Sequence, residues 1–292
     1  MKFPEGILRK NFSLKNITSF QVGGKCDFYF IPDSLSALIQ TIDICYKEKI
    51  SYYIIGNGSN ILFSDNGFKG VIINLKGFSN YIELTDKGIK CGASAHLHTV
   101  VEFAKTYGLT GIENLAGIPG TIGGALIMNA GAFGTEIGDI VDSVTVLTTK
   151  QKIKKLRCNE IKFSYRKATP LNRYLILETE LRLKKGNKRK IAASINKILK
   201  LREKKQPLEF PSAGSTFKRP ENNYAGTLIE KSGLKGYSVG GAKVSEKHAN
   251  FIINTGSATA SDIYNLIKYI QKKVYKDSGI KLQPEIKLIG FN

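Results

Sequence analysis

Apolar residues recur at helical spacing in four stretches of the chain, and short apolar runs separate them. The spacing predicts a helix through Leu35–Cys45, a second over 96–107, a third over 188–204, and a fourth that starts at Ser261 and ends before Gly279. The third should end before Pro207, because a proline disfavours helical backbone in the residue before it. The positions predicted to face inward are Leu35, Leu38, Ile39, Ile42, Cys45, Leu97, Val100, Val101, Ala104, Ile191, Ile195, Ile198, Leu199, Ile263, Leu266, Ile267, Ile270 and Val274.

Strand patterns alternate with these helices, so the predicted class is α+β. The predicted strands are Tyr52–Ile55, Ile61–Phe63, Val71–Asn74, Val141–Thr148, Ile153–Leu156, Tyr174–Leu183 and Glu285–Ile289. At 292 residues the chain is long enough for two or three compact units. The composition becomes rich in lysine near residue 184, which places a domain boundary at about residue 185.

The net charge of +20 indicates which kinds of ligand the chain could bind. So basic a chain suits nucleic acid, a membrane surface or an anionic substrate. The lysines and arginines are spread over several segments and carry no interleaved aromatic motif. This distribution favours a general basic bias of the proteome, with some attraction for phosphorylated ligands, over a dedicated nucleic-acid surface. The four cysteines form no C-x-x-C motif, and residues 1–10 lack an apolar leader, so a reducing cytoplasm is expected.

Two glycine-rich segments are the first candidates for chemistry. In Gly56-Asn57-Gly58-Ser59-Asn60, the glycines allow consecutive N–H groups to face one anion such as a diphosphate, and an ordinary hairpin turn explains the same residues equally well. The loop is neither a Walker A motif nor a complete dinucleotide fingerprint.

The second segment holds eight glycines in the 27 residues from Gly108 to Gly134. Apolar residues alternate with these glycines, which is not typical of a flexible linker, so a cofactor that approaches the backbone closely is favoured. The uncharged stretch Asn114–Thr135 is long enough to span a bilayer, but its proline and glycines predict turns and short strands instead.

Three further motifs say little individually. They are Ser164-Tyr165-Arg166, the proline-bracketed loop Pro211–Pro220, and Gln283-Pro284-Glu285. His96 and His98 lie near no other metal-ligand residues in the sequence, so no metal site is predicted.

Taken in order, these motifs resemble the UDP-N-acetylenolpyruvoylglucosamine reductase family over nearly the whole chain. The opening Thr18-Ser19-Phe20-Gln21-Val22-Gly23-Gly24 and the segment Gly233–Asn250 belong to the same ordered set. The resemblance implies an FAD-dependent, NADPH-using enzyme that reduces UDP-N-acetylglucosamine enolpyruvate to UDP-N-acetylmuramate in peptidoglycan precursor synthesis. The short stretch after Ser215 is similar to the shorter of the family's two types.

The implied fold is a two-lobed FAD-binding domain of the vanillyl-alcohol-oxidase (PCMH) type with a smaller α+β substrate-binding domain. The first domain would cover 1–185, with lobes of about 1–75 and 76–185. The second would cover 186–292, with its last strand returning to the flavin. We further expect a cytoplasmic monomer that binds neither nucleic acid nor membrane.

The same resemblance implies roles for individual residues. Ser215 would be the proton donor, and Arg166 and Glu285 would stabilise the charge that develops on the substrate. Tyr165, Arg166, Lys218 and Arg219 would bind the substrate, with Arg219 standing where many relatives have Asn and able to pair with the diphosphate. The implied FAD-binding residues are Gly56, Asn57, Gly58, Ser59, Asn60, Ala116, Gly117, Pro119, Gly120, Gly123, Gly124 and Ala125.

Two other functions stay open on the sequence. Another oxidoreductase on the same FAD scaffold would share both glycine-rich segments but should lack the set Ser215, Arg166 and Glu285. A basic nucleotide-binding protein without enzymatic activity would bind nucleic acid with steep salt dependence and would carry no flavin.

Overall fold

A computed structural model describes residues 2–291 as six helices and twenty strands joined by short 3-10 turns. The helices are α1 (Leu35–Lys47), α2 (Leu97–Tyr107), α3 (Ile122–Ile127), α4 (Lys188–Lys205), α5 (Ala225–Lys231) and α6 (Ala260–Ser278). The strands of the first half are β1 (Gly6–Ser13), β2 (Lys25–Pro32), β3 (Tyr52–Ile55), β4 (Ile61–Phe63), β5 (Phe68–Asn74), β6 (Ile82–Thr85), β7 (Gly88–Gly92), β8 (Leu109–Thr110), β9 (Gly131–Ala132) and β10 (Thr135–Glu136). The others are β11 (Val141–Leu147), β12 (Ile153–Arg157), β13 (Lys162–Ser164), β14 (Lys167–Thr169), β15 (Leu175–Arg182), β16 (Lys184–Lys185), β17 (Ser238–Val239), β18 (Ala242–Val244), β19 (Ile252–Asn254) and β20 (Lys287–Ile289).

The described chain divides into two compact units, and each unit is assembled from segments distant in sequence. The first comprises residues 2–8, 30–57 and 72–201, and the second comprises 9–29, 58–71 and 202–291. The predicted functional division at residue 185 concerns ligand binding and stays a prediction. A four-stranded sheet has the strand order β1-β2-β5-β3.

The first unit contains an antiparallel sheet of order β12-β11-β15-β7-β6. Strand β11 lies inside this sheet, and nearly all of its residues are buried, whereas the edge strand β12 exposes three lysine and arginine side chains. Charged side chains on an edge strand discourage pairing with other chains. Helices α1 and α2 bury one apolar face each in the same unit, as their periodicity predicts.

The second unit packs around α6. Its apolar core joins Phe20, Val22 and Leu62 to residues of α5, β18, β19 and α6. Strand β20 pairs in parallel with β4, so the end of the chain returns to the strand that follows the first glycine-rich loop. This parallel pairing places Glu285 close to Asn60, because the Lys287 N–H donates to the Asn60 carbonyl at 3.0 Å.

The sequence predicts most regular elements of this fold. Helices α1, α2, α4 and α6 and strands β3 and β4 are confirmed. Four of the residues predicted to be buried, Leu35, Ile39, Ile42 and Leu199, are only half-buried. No helix among residues 2–291 is both long and apolar enough to cross a bilayer.

Three predicted details are wrong. Helix α6 begins two residues earlier, because Thr259 and Asp262 form a reciprocal capping box in place of a cap by Ser261. The last strand begins at Lys287, since the Glu285 N–H donates to the Thr216 carbonyl instead. The second glycine-rich segment, predicted as turns and short strands, contains the short strand β9 but also helix α3, which was not predicted.

Candidate active site

The first glycine-rich loop is not a hairpin. Strand β3 lies in the sheet with β5, whereas β4 pairs with β20, so the loop carries the chain from one sheet to another. Gly58 has φ +61°, and a β-carbon there would lie 1.9 Å from the Ile17 carbonyl oxygen. Ser19 fixes this approach by donating its N–H to the Gly58 carbonyl at 3.1 Å. The open alternative of an ordinary hairpin turn is therefore wrong, and glycine is required at Gly58 for close backbone packing.

The two glycine-rich segments meet at Gly56. A β-carbon on Gly56 would lie 2.4 Å from the Thr121 hydroxyl oxygen. Asn74 donates its side-chain amide to the Gly56 carbonyl at 3.1 Å, and the Thr121 hydroxyl accepts the Gly124 N–H as the N-cap of α3. Within the first unit, the backbone at Gly56 therefore packs directly against the N-cap residue of α3.

The glycines at the start of α3 serve two different purposes. Gly123 is buried, its N–H donates to the Ala93 carbonyl at 2.8 Å, and a β-carbon there would lie 3.1 Å from that oxygen. Gly124 is exposed, and a β-carbon there would meet only the Thr121 hydroxyl oxygen, at 3.6 Å. Gly123 thus allows close packing, while the backbone at Gly124 is open to a ligand. Such an accessible backbone beside a glycine loop fits an extended cofactor such as FAD.

Arg166 occupies the tip of a short hairpin in the first unit. Strands β13 and β14 pair from Lys162 opposite Thr169 to Ser164 opposite Lys167, which leaves Tyr165 and Arg166 as the two turn residues. Arg166 has φ +56°, a left-handed conformation uncommon for a residue with a side chain. Its guanidinium carbon lies 5.0 Å from the centre of the Tyr165 ring. The two predicted substrate-binding residues of this motif are therefore held against each other.

Asn129 supports this hairpin from the second glycine-rich segment. Its side chain is fully buried, and its amide donates to the Ser164 carbonyl at 3.2 Å and to the Glu136 carboxylate. Its side-chain oxygen accepts the Gly138 N–H at 3.1 Å. Sequence reasoning missed this role, although a lone amide in a run of small apolar residues is a usable signal.

In the second unit, the loop that carries Ser215 lies between two other segments. The Thr216 N–H donates to the Asn250 carbonyl, and the Thr216 carbonyl accepts the Glu285 N–H, both at 2.8 Å. The Lys218 N–H donates to the Gln283 carbonyl at 2.9 Å. The structure therefore brings Ser215 and Glu285, both half-buried, into one backbone ladder.

Asn250 fixes the middle of that ladder. Its side-chain oxygen accepts the Phe217 N–H at 3.0 Å, and its amide donates to the Phe217 carbonyl at 2.9 Å. The Asn250 N–H donates in turn to Nδ1 of His248 at 3.2 Å, and burial lowers the pKa of His248. A neutral imidazole can accept this bond, whereas a protonated one cannot. The loop is thus locked by side-chain hydrogen bonds from Asn250, which His248 supports.

The predicted site residues fall in both units. Gly56, Asn57, Ala116–Ala125, Tyr165 and Arg166 lie in the first, and Gly58–Asn60, Ser215, Lys218, Arg219 and Glu285 lie in the second. Among the described residues 2–291, no group of three or more His, Cys, Asp and Glu side chains is arranged to hold a metal ion.

Comparisons with known proteins match two separate parts of the chain. A family model described as an FAD-binding domain matches residues 26–157, and one described as the C-terminal domain of UDP-N-acetylenolpyruvoylglucosamine reductase matches 206–289. The curated reductase of that name from Caldanaerobacter subterraneus subsp. tengcongensis is 47% identical over 98% of this chain and 95% of its own length. The one from Listeria monocytogenes serotype 4a is 42% identical over 99% of this chain and 97% of its own.

A solved structure extends the similarity to the fold. The crystal structure of the reductase from Thermus caldophilus superposes with a TM-score of 0.85 at 32% identity, and it covers 98% of this chain and all of its own. These matches confirm the expected α+β class with an FAD-binding domain and a reductase C-terminal domain. This chain therefore belongs to the UDP-N-acetylenolpyruvoylglucosamine reductase family.

Proposed function

We propose that this chain reduces UDP-N-acetylglucosamine enolpyruvate to UDP-N-acetylmuramate, with Ser215 as proton donor and Arg166 and Glu285 as the residues that stabilise the developing charge. The observation that carries the assignment of roles is the shared backbone ladder of Ser215 and Glu285 in the second unit. FAD, when bound, supplies the two-electron chemistry that links NADPH to the enolpyruvyl double bond.

The reaction adds a hydride and a proton to the two carbons of the enolpyruvyl double bond. Hydride addition at C3 of the enolpyruvyl group leaves negative charge at C2 that spreads into the carboxylate. Arg166 can form two parallel hydrogen bonds with that carboxylate, which favours the charge-delocalised state. The positive φ of Arg166 supports this role, since strained backbone conformations are concentrated at functional sites.

Ser215 then completes the reduction by giving its hydroxyl proton to C2. A serine hydroxyl is a weak acid, and it serves as a donor here because the carbon it protonates is strongly basic. The Thr216 and Phe217 backbone groups are held by Asn250, so Ser215 is presented on a fixed loop. Pre-positioning of this kind reduces the entropy cost of proton transfer.

The cofactor is assigned to the two glycine-rich segments. Gly56, Asn57 and residues of the segment Ala116–Ala125, of which Pro119 and Gly124 are exposed, would hold FAD from the first unit, and Gly58, Ser59 and Asn60 from the second. The substrate is assigned to Tyr165, Arg166, Lys218 and Arg219, whose cations suit its carboxylate and diphosphate. We further assign FAD binding to 1–185 and substrate binding to 186–292, with the last strand returning to the flavin. The positions of the two matched family models support this division.

Anaerobic flavin spectroscopy separates the two half-reactions. We expect Ser215→Ala to be reduced by NADPH at the rate of the unmodified enzyme, and to be reoxidised by the enolpyruvyl substrate about 10²- to 10⁴-fold more slowly. Ser212→Ala, a hydroxyl lost three residues earlier in the same loop, is the matched control and should reoxidise normally. Unchanged reoxidation of Ser215→Ala would remove Ser215 from the mechanism. Failure of the unmodified protein to reoxidise with this substrate would instead reject the substrate assignment.

The same proposal includes a cytoplasmic monomer without affinity for nucleic acid or membrane. Light scattering of the purified holoenzyme should give the mass of one chain, 32.2 kDa. Binding to duplex DNA or anionic vesicles at physiological salt should be absent. A dimer mass, or tight salt-dependent binding, would contradict these parts of the proposal without affecting the reaction.

A further inference from the structure

The loop that carries Ser215 continues into an exposed pair formed by Arg219 and Tyr224. The Arg219 guanidinium carbon lies 5.0 Å from the centre of the Tyr224 ring, within the range of a cation–π contact. Tyr224 is 64% exposed, the second most exposed large apolar or aromatic side chain among the described residues. The ring is therefore held at the surface by a charged neighbour and contributes little to the core.

Local structure does not explain a tyrosine at this position. Tyr224 is the N-cap residue of α5, and its side chain makes no capping hydrogen bond. Ser, Thr, Asp and Asn are preferred at this position because their short side chains accept a helix N–H group. The chain therefore places an exposed aromatic ring where a short polar residue would stabilise the helix better, which indicates a role in binding.

The pair is anchored to the same residue that fixes the Ser215 loop. Asn250 holds both backbone groups of Phe217, two residues before Arg219. A β-carbon on Gly226, two residues after Tyr224, would lie 3.6 Å from Asn250 and 3.5 Å from His248. Asn250 therefore holds the start of the segment that presents the pair, and the end of the segment, at Gly226, lies beside Asn250 and His248.

An exposed aromatic ring beside a guanidinium matches the chemistry of a nucleotide. The face of a heterocyclic base stacks on an aromatic ring, and a guanidinium pairs with phosphate. We propose that Tyr224 is a specificity-determining residue that stacks on the uracil base of the substrate, with Arg219 holding the ring in place from its other face. This inference rests on the proposed function, which supplies a uridine nucleotide as the substrate.

The test compares Tyr224→Leu with Tyr224→Phe. Loss of one base stack should raise KM for UDP-N-acetylglucosamine enolpyruvate about tenfold or more, with kcat and flavin reduction by NADPH unchanged. Tyr224→Phe keeps the ring and should stay within about threefold of the unmodified enzyme. Tyr275→Leu is the matched control, because Tyr275 is also exposed in the second unit and has Lys281 at 5.7 Å from its ring.

Binding of UDP, measured by calorimetry on the holoenzyme, distinguishes a contact with the uracil base from a contact with the diphosphate. This measurement does not depend on turnover. We expect Tyr224→Leu to weaken UDP binding by the same factor as it raises KM, and to leave the binding of pyrophosphate, measured in the same way, unchanged. Unchanged UDP binding would overturn the inference, and so would an equal loss for UDP and pyrophosphate, which would place the contact at the diphosphate. If the unmodified enzyme binds UDP but fails to turn over the enolpyruvyl substrate, the proposed function fails and the UDP comparison still decides the role of Tyr224.

Discussion

Replacement of Asn129 by Asp tests how the fold holds the Tyr165-Arg166 turn. The Asn129 side chain is fully buried and has φ +41°, a conformation that Asn and Asp adopt more readily than most residues. Its amide nitrogen donates to the Ser164 carbonyl and to the Glu136 carboxylate. Asn129→Asp keeps the shape and the backbone preference but exchanges this donor for an oxygen.

The size of the effect follows from the two donated bonds. A bond to a backbone carbonyl contributes about 1 kcal/mol and one to a carboxylate about 2 kcal/mol, so the lost bonds alone should lower the free energy of unfolding by about 3 kcal/mol. At pH 8 the repulsion between the introduced carboxylate and Glu136 adds to this loss. The contact with Glu136 raises the pKa of the introduced carboxyl in the folded protein above its unfolded value of about 4. The folded state then binds more protons than the unfolded state near that pKa. The loss should therefore shrink as the pH falls towards 5.

Asn129→Gly is the matched control for charge. Glycine accepts the positive φ and loses the same hydrogen bonds, but it introduces no carboxyl group. Urea unfolding at pH 8 and pH 5, each compared with the unmodified protein, should show a pH-dependent loss for Asn129→Asp and a constant loss for Asn129→Gly. Equal, pH-independent losses would refute the reasoning. Both variants should also lower kcat, because the hairpin that carries Arg166 loses its support.

Three further predictions concern other contacts. Burial raises the pKa of Asp65, but hydrogen bonds from the first residues of α6 lower it further, so the net pKa lies below its ordinary value. The stability that Asp65 contributes is therefore lost as the pH falls. Asp65→Asn should lower the free energy of unfolding in urea at neutral pH by about 1 kcal/mol and should flatten this pH dependence. Gly58→Ala should lower flavin content, measured by absorbance, whereas Gly214→Ala, with positive φ but no neighbour within 4 Å, should retain flavin. Asn250→Ala leaves both Phe217 backbone groups without their partner and should cost about 2–4 kcal/mol by thermal unfolding.

Local periodicity predicts the helices that bury a wide apolar face. Helices α2 and α6 were predicted within two residues at each end, because their inward positions repeat regularly and glycine ends both helices. Helix α3 could not be predicted in this way. It has only six residues, two of them glycines, and its first N–H groups donate to the Ala95 and Ala93 carbonyls. Tertiary contacts therefore stabilise a helix that propensity alone disfavours.

Local sequence patterns also could not predict which segments of the chain make up each of the two units. The parallel pair of β4 and β20 joins segments more than 200 residues apart, and it depends on Asn60, whose amide also donates to the Glu285 carbonyl at 3.3 Å. The sequence resemblance assigned Ser215 and Glu285 to one reaction. Their common backbone ladder is a property of the folded chain that no spacing in the sequence reveals.

Four asparagines support the candidate site, each next to a different motif. Asn74 holds Gly56, Asn60 holds Glu285, Asn129 holds the Arg166 hairpin and Asn250 holds the loop of Ser215. Irregular segments lack the regular partners of a helix or sheet, and an amide side chain supplies both a donor and an acceptor to their backbone groups. Amide side chains do not titrate, so the bonds of Asn60 and Asn74 to backbone carbonyls keep their geometry over a wide pH range. The pH dependence of turnover should therefore report the reacting groups and His248, which contacts Asn250, more than the rest of the scaffold.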